Sequence, residues 1–283
     1  MNRHLLSSAL VFAFAFLPMV LKPVNATAAT IVTENFGGGT GNLNGTTADT
    51  FDAAITTVGG SATWVADTTA GATSLFQADG VINYVTGFGA ATAFLNMGSY
   101  INDAKGTSNG LFTLSATINS TRASNVWVSL GFFDSPTTLS SFTSTGLGTI
   151  IQRSPGYLNG GTGSTGLQEL DMWGGAGTGT GGVDGPELAS GPQLVTIVLD
   201  LRTHNNTDDF GTVTWYDGTT AGTNLGSYDY LADNSFDAIG ISQAGSDGTV
   251  AGLTLEQFQV PEPSTAILAG LGLAGLSLRR RRR

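Results

Sequence analysis

The feature that most constrains this chain is a two-residue alternation of apolar and small polar side chains, recurring between residues 30 and 260. In Leu111-Phe112-Thr113-Leu114-Ser115-Ala116-Thr117-Ile118, alternation puts Phe112, Leu114, Ala116 and Ile118 on one face. In the run from Val126 to Phe132 it does the same for Val126, Val128, Leu130 and Phe132. Leu194 to Leu201 alternates around Val195, Ile197, Leu199 and Leu201, and Gly211 to Asp217 pairs Val213 with Trp215. Phe236 to Ser242 and Ala251 to Val260 follow the same rule. A period of two with Thr, Val and aromatic enrichment is the signature of half-buried strands, and helical spacing is almost absent. Turn-forming pairs such as Asp217-Gly218, Asn234-Ser235 and Asp247-Gly248 separate the runs. Many short strands joined by such turns predict an all-β, antiparallel β-sandwich of jelly-roll type. No repeat of fixed period argues for a propeller or β-helix. The Gly-rich stretch from Gly160 to Gly185 reads as a long loop within one domain.

Hydrophobic residues make up 41% of the 283, enough for a packed core without help from disulfides, of which a chain with no cysteine has none. The same absence excludes thiol catalysis and Cys-ligated zinc. Between Thr27 and Val260 the only basic residues are Lys105, Arg122, Arg153 and Arg202, against twenty acidic ones. So acidic a body excludes nucleic acid as a partner, since binding it requires basic surface to displace counterions. Cations and neutral polymers such as glycans remain compatible with it.

Both ends carry address signals. Asn2, Arg3 and His4 precede an apolar run from Leu5 to Leu21, and small-x-small triplets follow at Val24-Asn25-Ala26 and Ala26-Thr27-Ala28. This three-part layout predicts a signal peptide over residues 1–28, removed by signal peptidase. The body is then 29–259, and a tail occupies 260–283. In the tail, Val260-Pro261-Glu262-Pro263-Ser264 leads into an uncharged apolar stretch ending at Leu278. Arg279, Arg280, Arg281, Arg282 and Arg283 close it. The prolines stop any helix entering from the body. The apolar stretch predicts a short transmembrane helix in the inner membrane, somewhat under the roughly 20 residues of an ordinary span. The arginines would stay cytoplasmic as its anchor, their long stems reaching the interface.

This tail closely resembles the PEP-CTERM sorting signal, in which a Pro-Glu-Pro motif precedes a short hydrophobic helix and a basic end. Pro261, Glu262, Pro263 and the five arginines supply each part. The resemblance implies an exosortase, a membrane protease that removes the tail near the motif. It implies a Gram-negative host making exopolysaccharide or biofilm. Glu262 is then a recognition residue. The body resembles concanavalin-like and laminin-G-like jelly rolls. The likeness lies in Asn35-Phe36, Leu43-Asn44-Gly45, Val195 to Asp200, Thr214 to Gly218, Ile239-Gly240-Ile241 and the closing strand Leu253 to Phe258. That fold includes glycan binders, adhesion modules and glycanases, and does not decide among them.

Glu169-Leu170-Asp171-Met172-Trp173-Gly174 resembles the start of the catalytic strand of family 16 glycoside hydrolases. On the matching positions Glu169 would be the nucleophile and Asp171 its assisting carboxylate. The general acid belongs at 173 or 174, where this chain has Trp173 and Gly174. A retaining glycosidase needs two carboxylates about 5 Å apart, so the set is incomplete and the body is expected not to be an enzyme. His204 lies in a turn, where a solvated side chain is expected, and no Gly-x-Ser-x-Gly elbow accompanies it.

Glycan recognition calls for exposed aromatics beside acids and amides. Trp127, Trp173 and Tyr216 are the main candidates. Trp64 is a further option, Phe133 shares the face of Trp127, and Trp215 is assigned to the core. The only cofactor with any basis is calcium, for which Asp208, Asp209 and Asp247 are weak loop ligands; turn formation explains them as well. The expected protein is an exported, exosortase-sorted component of the cell surface or extracellular matrix. Its non-catalytic body would bind exopolysaccharide. The alternatives are a family-16-like glycanase with a displaced acid and a structural surface protein without ligand.

Overall fold

The computed structural model describes residues 27–37, 41–66, 75–78, 80–84, 90–120, 127–134, 146–153, 167–173, 182–183, 187–189, 191–204, 211–229, 235–244 and 248–259. Residues 1–26 of the expected signal peptide and the transmembrane tail lie outside these residues, as do Asp208, Asp209 and Asp247. Thr27–Val260 forms one compact unit.

The described residues form eighteen strands and two short helices. In chain order they are β1 (Thr27–Glu34), β2 (Gly41–Asn42), β3 (Thr50–Phe51), α1 (Ala53–Thr57), β4 (Val65–Ala66), β5 (Leu75–Ala78), β6 (Val81–Tyr84), β7 (Ala90–Asn96) and α2 (Tyr100–Asp103). There follow β8 (Leu111–Asn119), β9 (Trp127–Phe133), β10 (Gly146–Arg153), β11 (Leu167–Trp173), β12 (Gly182–Val183), β13 (Glu187–Ala189) and β14 (Gln193–Asp200). The last are β15 (Thr212–Asp217), β16 (Thr223–Asp229), β17 (Ala238–Ala244) and β18 (Thr249–Gln259).

All pairings are antiparallel. One sheet runs β16-β15-β14-β8-β18-β6-β5-β2, with β1 pairing both β18 and β3. The other runs β12-β11-β10-β9-β17-β7-β4, with β13 also against β11. Neighbours distant in sequence, such as β8 with β18 and β9 with β17, make this the expected jelly-roll type of sandwich rather than a series of hairpins. The alternating positions meet between the sheets. Phe112, Leu114, Ala116 and Ile118 of β8 pack with Val195, Ile197 and Leu199 of β14, Val213 and Trp215 of β15, Val128, Leu130 and Phe132 of β9, and Ile239 and Ile241 of β17. Burial of apolar area at roughly 25 cal/mol per Å² drives this association.

One expectation needs correction. The stretch 160–185 is not a single loop, because β11 occupies Leu167–Trp173 and pairs with β10 from Arg153↔Glu169 to Thr149↔Trp173. Leu170 and Met172, both buried in the core, give that strand its inward side despite its glycine-rich flanks. In addition, β1 begins at Thr27, two residues before the expected start of the body. The helices went unforeseen because each is a single turn, too short for a periodic signal. The first is set by Asp52, whose side chain accepts the Ala54 N–H at 2.8 Å.

Candidate functional site

The strongest candidate surface is the outer face of the eight-stranded sheet. On β9, Val128, Leu130 and Phe132 enter the core, so Trp127, Ser129, Gly131 and Phe133 take the opposite face. Register then defines rows across the sheet. One row is Asp171, Ile151, Ser129, Ser242 and Thr92. A second holds Glu187, Glu169, Arg153, Trp127, Ala244 and Ala90. Position 173 shares the face, opposite Thr149.

This outer face is not a bare polar surface. Phe94, Phe133, Ile151 and Ala238 form a second, fully separate apolar cluster, with half-buried Trp127 packed against it. Phe133, expected on this face, is there and is completely buried. Beside the cluster runs a buried hydroxyl chain. Ser242 Oγ donates to the Ala91 carbonyl at 3.1 Å, so Thr92 Oγ1 is the donor in its 2.7 Å bond to Ser242 Oγ. Ser129 Oγ donates to the Ser242 carbonyl at 3.3 Å. Asp171 ends the row with no exposed surface.

Gly131 and Gly240 face each other in the middle of the sheet. A Cβ at 131 would lie 2.2 Å from Thr149 Cγ2, and one at 240 would lie 2.2 Å from the Ala93 carbonyl oxygen. Neither position admits a side chain without a backbone shift.

The three glycan candidates do not converge. Trp127 and position 173 belong to the outer face of the eight-stranded sheet. Tyr216 lies on the outer face of the other sheet, in a row with Asn224, Thr196, Ser115 and Thr254. It is partly exposed and cannot share a ligand site with Trp127 across the thickness of the sandwich. Trp215 is buried in the core, as expected.

Two expectations fail on burial. Trp64 is not available to a ligand: it has no exposed surface, and its Nε1–H donates to Glu34 Oε2 at 2.9 Å. His204 is in its predicted turn, donating its backbone N–H to the Leu201 carbonyl, but it is 4% exposed rather than solvated. Gly106 packs so closely on the His204 carbonyl that a Cβ there would come within 2.6 Å.

Glu34 is a buried group that the sequence did not single out. Its second oxygen accepts the Phe36 N–H at 2.6 Å. That bond holds Phe36 at φ 52, a left-handed conformation rare for a large side chain. Asn35 N–H donates to Asp49 alongside. Burial pushes the Glu34 carboxyl above its usual range; the Trp64 and Phe36 hydrogen bonds oppose this, and nearby Asp49 adds to it. The Asn35-Phe36, Leu43 and Trp64 signals thus serve one structural knot: Leu43 and Phe36 are fully buried, and the Phe36 and Trp64 rings sit 6.0 Å apart. Among the described residues, no three acidic or histidine side chains gather as a metal site would require.

The sorting motif joins the body at a defined place. The β1–β18 ladder runs to Thr27↔Gln259, and only Val260 separates Gln259 from Pro261. Two residues inward, Gln257 is locked from both sides. Its Oε1 accepts the Tyr100 hydroxyl at 2.7 Å, and its Nε2 donates to the Asn109 carbonyl at 2.9 Å.

These features define an antiparallel jelly-roll sandwich whose last strand runs directly into a sorting signal. Residues 259–282 match the PEP-CTERM protein-sorting motif, which marks the chain as exported and processed at a membrane. No curated protein matches the chain in sequence. Among solved structures, it is similar to the CBM2 module of the evolved Dit protein of Lactobacillus casei BL23 phage J-1. That similarity has 11% identity and a TM-score of 0.42, and covers 84% of this chain and 99% of that one. A carbohydrate esterase from the Shiga toxin-encoding bacteriophage phi24B is similar at 8% identity and TM-score 0.42, covering 82% and 100%. The exoplasmic/lumenal domain of VIP36 is similar at 9% identity and TM-score 0.39, covering 72% and 84%.

Proposed function

We propose that this protein is a non-catalytic component of the cell surface or extracellular matrix, released from the inner membrane by an exosortase and binding exopolysaccharide through the outer face of its eight-stranded sheet. The observation that carries the reading is the sorting motif set directly on the last strand of a complete sandwich. Signal peptidase acts on the N-terminal side and exosortase on the C-terminal side. Trp127 supplies an aromatic surface for a sugar's C–H face, and the register sets positions 153 and 169 in the same row.

One feature supports a body without glycosidase chemistry. The position of the second glutamate is filled by Trp173 and Gly174. A family-16-like glycanase is the second reading, favoured only by positions 169 and 171 sharing the outer face. The test is binding of the purified mature body to host exopolysaccharide and to a glycan array, with β-glucan turnover measured in parallel. Binding lost in Trp127→Ala without turnover supports the proposal. Turnover lost in Glu169→Gln moves the assignment to the glycanase, and the absence of both leaves a purely structural surface protein.

A further inference from the structure

We infer that removal of the sorting tail is gated by fraying of the β1–β18 ladder, so that the folded body sets the rate of its own release. The inference rests on the exosortase reading above. Its basis is the absence of any spacer. The matched sorting signal begins at residue 259, and Gln259 is itself the last paired residue of β18, opposite Thr27. Phe258 pairs with Ala28 on one side and Leu111 on the other. The strand approaching the scissile region is therefore held in the sheet to within two residues of Pro261.

Tail removal hydrolyses one backbone amide near Pro261-Glu262-Pro263. Water supplies the hydroxyl of the body's new carboxyl end and the proton of the tail's new amine. A protease must take the chain extended on both sides of that bond, and residues already hydrogen-bonded in a sheet cannot be so taken. Phe258 and Gln259 must leave the ladder first. Opening is confined to them, because Gln257 is pinned by Tyr100 and Asn109 and is 5% exposed. Cleavage of such a transiently opened segment follows the population of its open form when opening is fast.

The two processing events are thereby linked. Signal cleavage after Ala26 leaves Thr27 and Ala28 in place opposite Gln259 and Phe258. Cleavage after Ala28 removes both and loosens the root of the tail. The geometry thus assigns Ala26–Thr27 as the bond whose cleavage preserves the full ladder.

The experiment follows tail loss by pulse-chase and intact mass for the full chain in a host with exosortase. A flexible eight-residue Gly-Ser segment inserted between Gln259 and Val260 should speed tail loss roughly tenfold. Tyr100→Phe, which removes one bond to Gln257, should speed it a few-fold. The same segment inserted at Thr220, in the exposed turn before β16, should leave the rate unchanged. Equal rates for the parent chain and the Gln259 insertion would overturn the gating while leaving exosortase processing intact. Loss of tail only in the Gln259 insertion would be its extreme confirmation. Tail retained in every variant would overturn the gating and the exosortase reading together.

Discussion

Replacing Glu34 by alanine is the sharpest test of how the N-terminal knot is held. Glu34 is 3% exposed, and its two oxygens accept the Trp64 Nε1–H at 2.9 Å and the Phe36 N–H at 2.6 Å. Truncation leaves two buried donors unpaired, at about 1–3 kcal/mol each. It also frees Phe36 from the bond that holds its left-handed backbone. Against this, it removes a carboxylate whose burial is itself unfavourable, as its upward-shifted pKa indicates. The net loss should be about 2–4 kcal/mol, which for a domain of this size lowers Tm by roughly 4–16 °C. The pH dependence carries a sign. A carboxyl whose folded pKa is raised contributes stability fully present below its unfolded value, near 4.5, and loses it as pH rises through the folded value. The deficit of Glu34→Ala against the parent should therefore be larger at pH 4.5 than at pH 8. Urea denaturation of the mature body at both pH values measures it. A loss under about 0.5 kcal/mol would refute the double-acceptor role. A deficit that grows with pH would show that the hydrogen bonds to the ionised form outweigh its burial.

Gly240→Ala should cost about 1–3 kcal/mol, because its Cβ would press on the Ala93 carbonyl in the middle of the sheet; thermal unfolding checks it. Asn102→Ala should cost a similar amount, about 1–3 kcal/mol, since Asn102 bonds Ser235, Asp237 and the Phe236 N–H and ties α2 to the start of β17. Arg202→Ala should change stability by less than about 1 kcal/mol, the pair with Asp200 being an exposed one. Arg202 lowers the Asp200 pKa, so this small contribution exists above about pH 3.8 and disappears as pH falls through the lowered value; acid titration of both proteins compares them.

The body's strands were legible wherever a long alternating run met a partner of the same kind. β8, β9, β14, β15 and β18 fall on the segments read from the sequence to within a few residues. Alternation also put Trp127 and Phe133 on the outer face, because period two is geometric and needs no tertiary context. What alternation cannot say is whether an outer face is wet. Phe133 is fully buried there because the face carries an apolar cluster of its own, assembled from Phe94, Ile151 and Ala238 on three other strands. β11 was read in two ways, its glycine-rich surroundings as a long loop and Glu169 to Gly174 as the start of a strand; Leu170 and Met172 carry the inward pattern that decides for the strand. Trp64 and His204 were misread for one reason. Each is buried by contacts far away in sequence, Trp64 by Glu34 and His204 by the turn at Gly106. Glu34 gave no local signal at all, since a lone glutamate at a strand end looks like surface until Trp64 and Phe36 are brought to it. The sorting motif, in contrast, was fully legible, because it is read as a linear segment and needs no fold to present it.

The central claim is best tested by intact mass and cell fractionation of the full chain, expressed with and without an exosortase. The account predicts a product that lacks both ends, begins at Thr27 or Ala29, and lies outside the cell only when the exosortase is present. A product that keeps Arg279 to Arg283 and stays in the inner membrane in both hosts would contradict it.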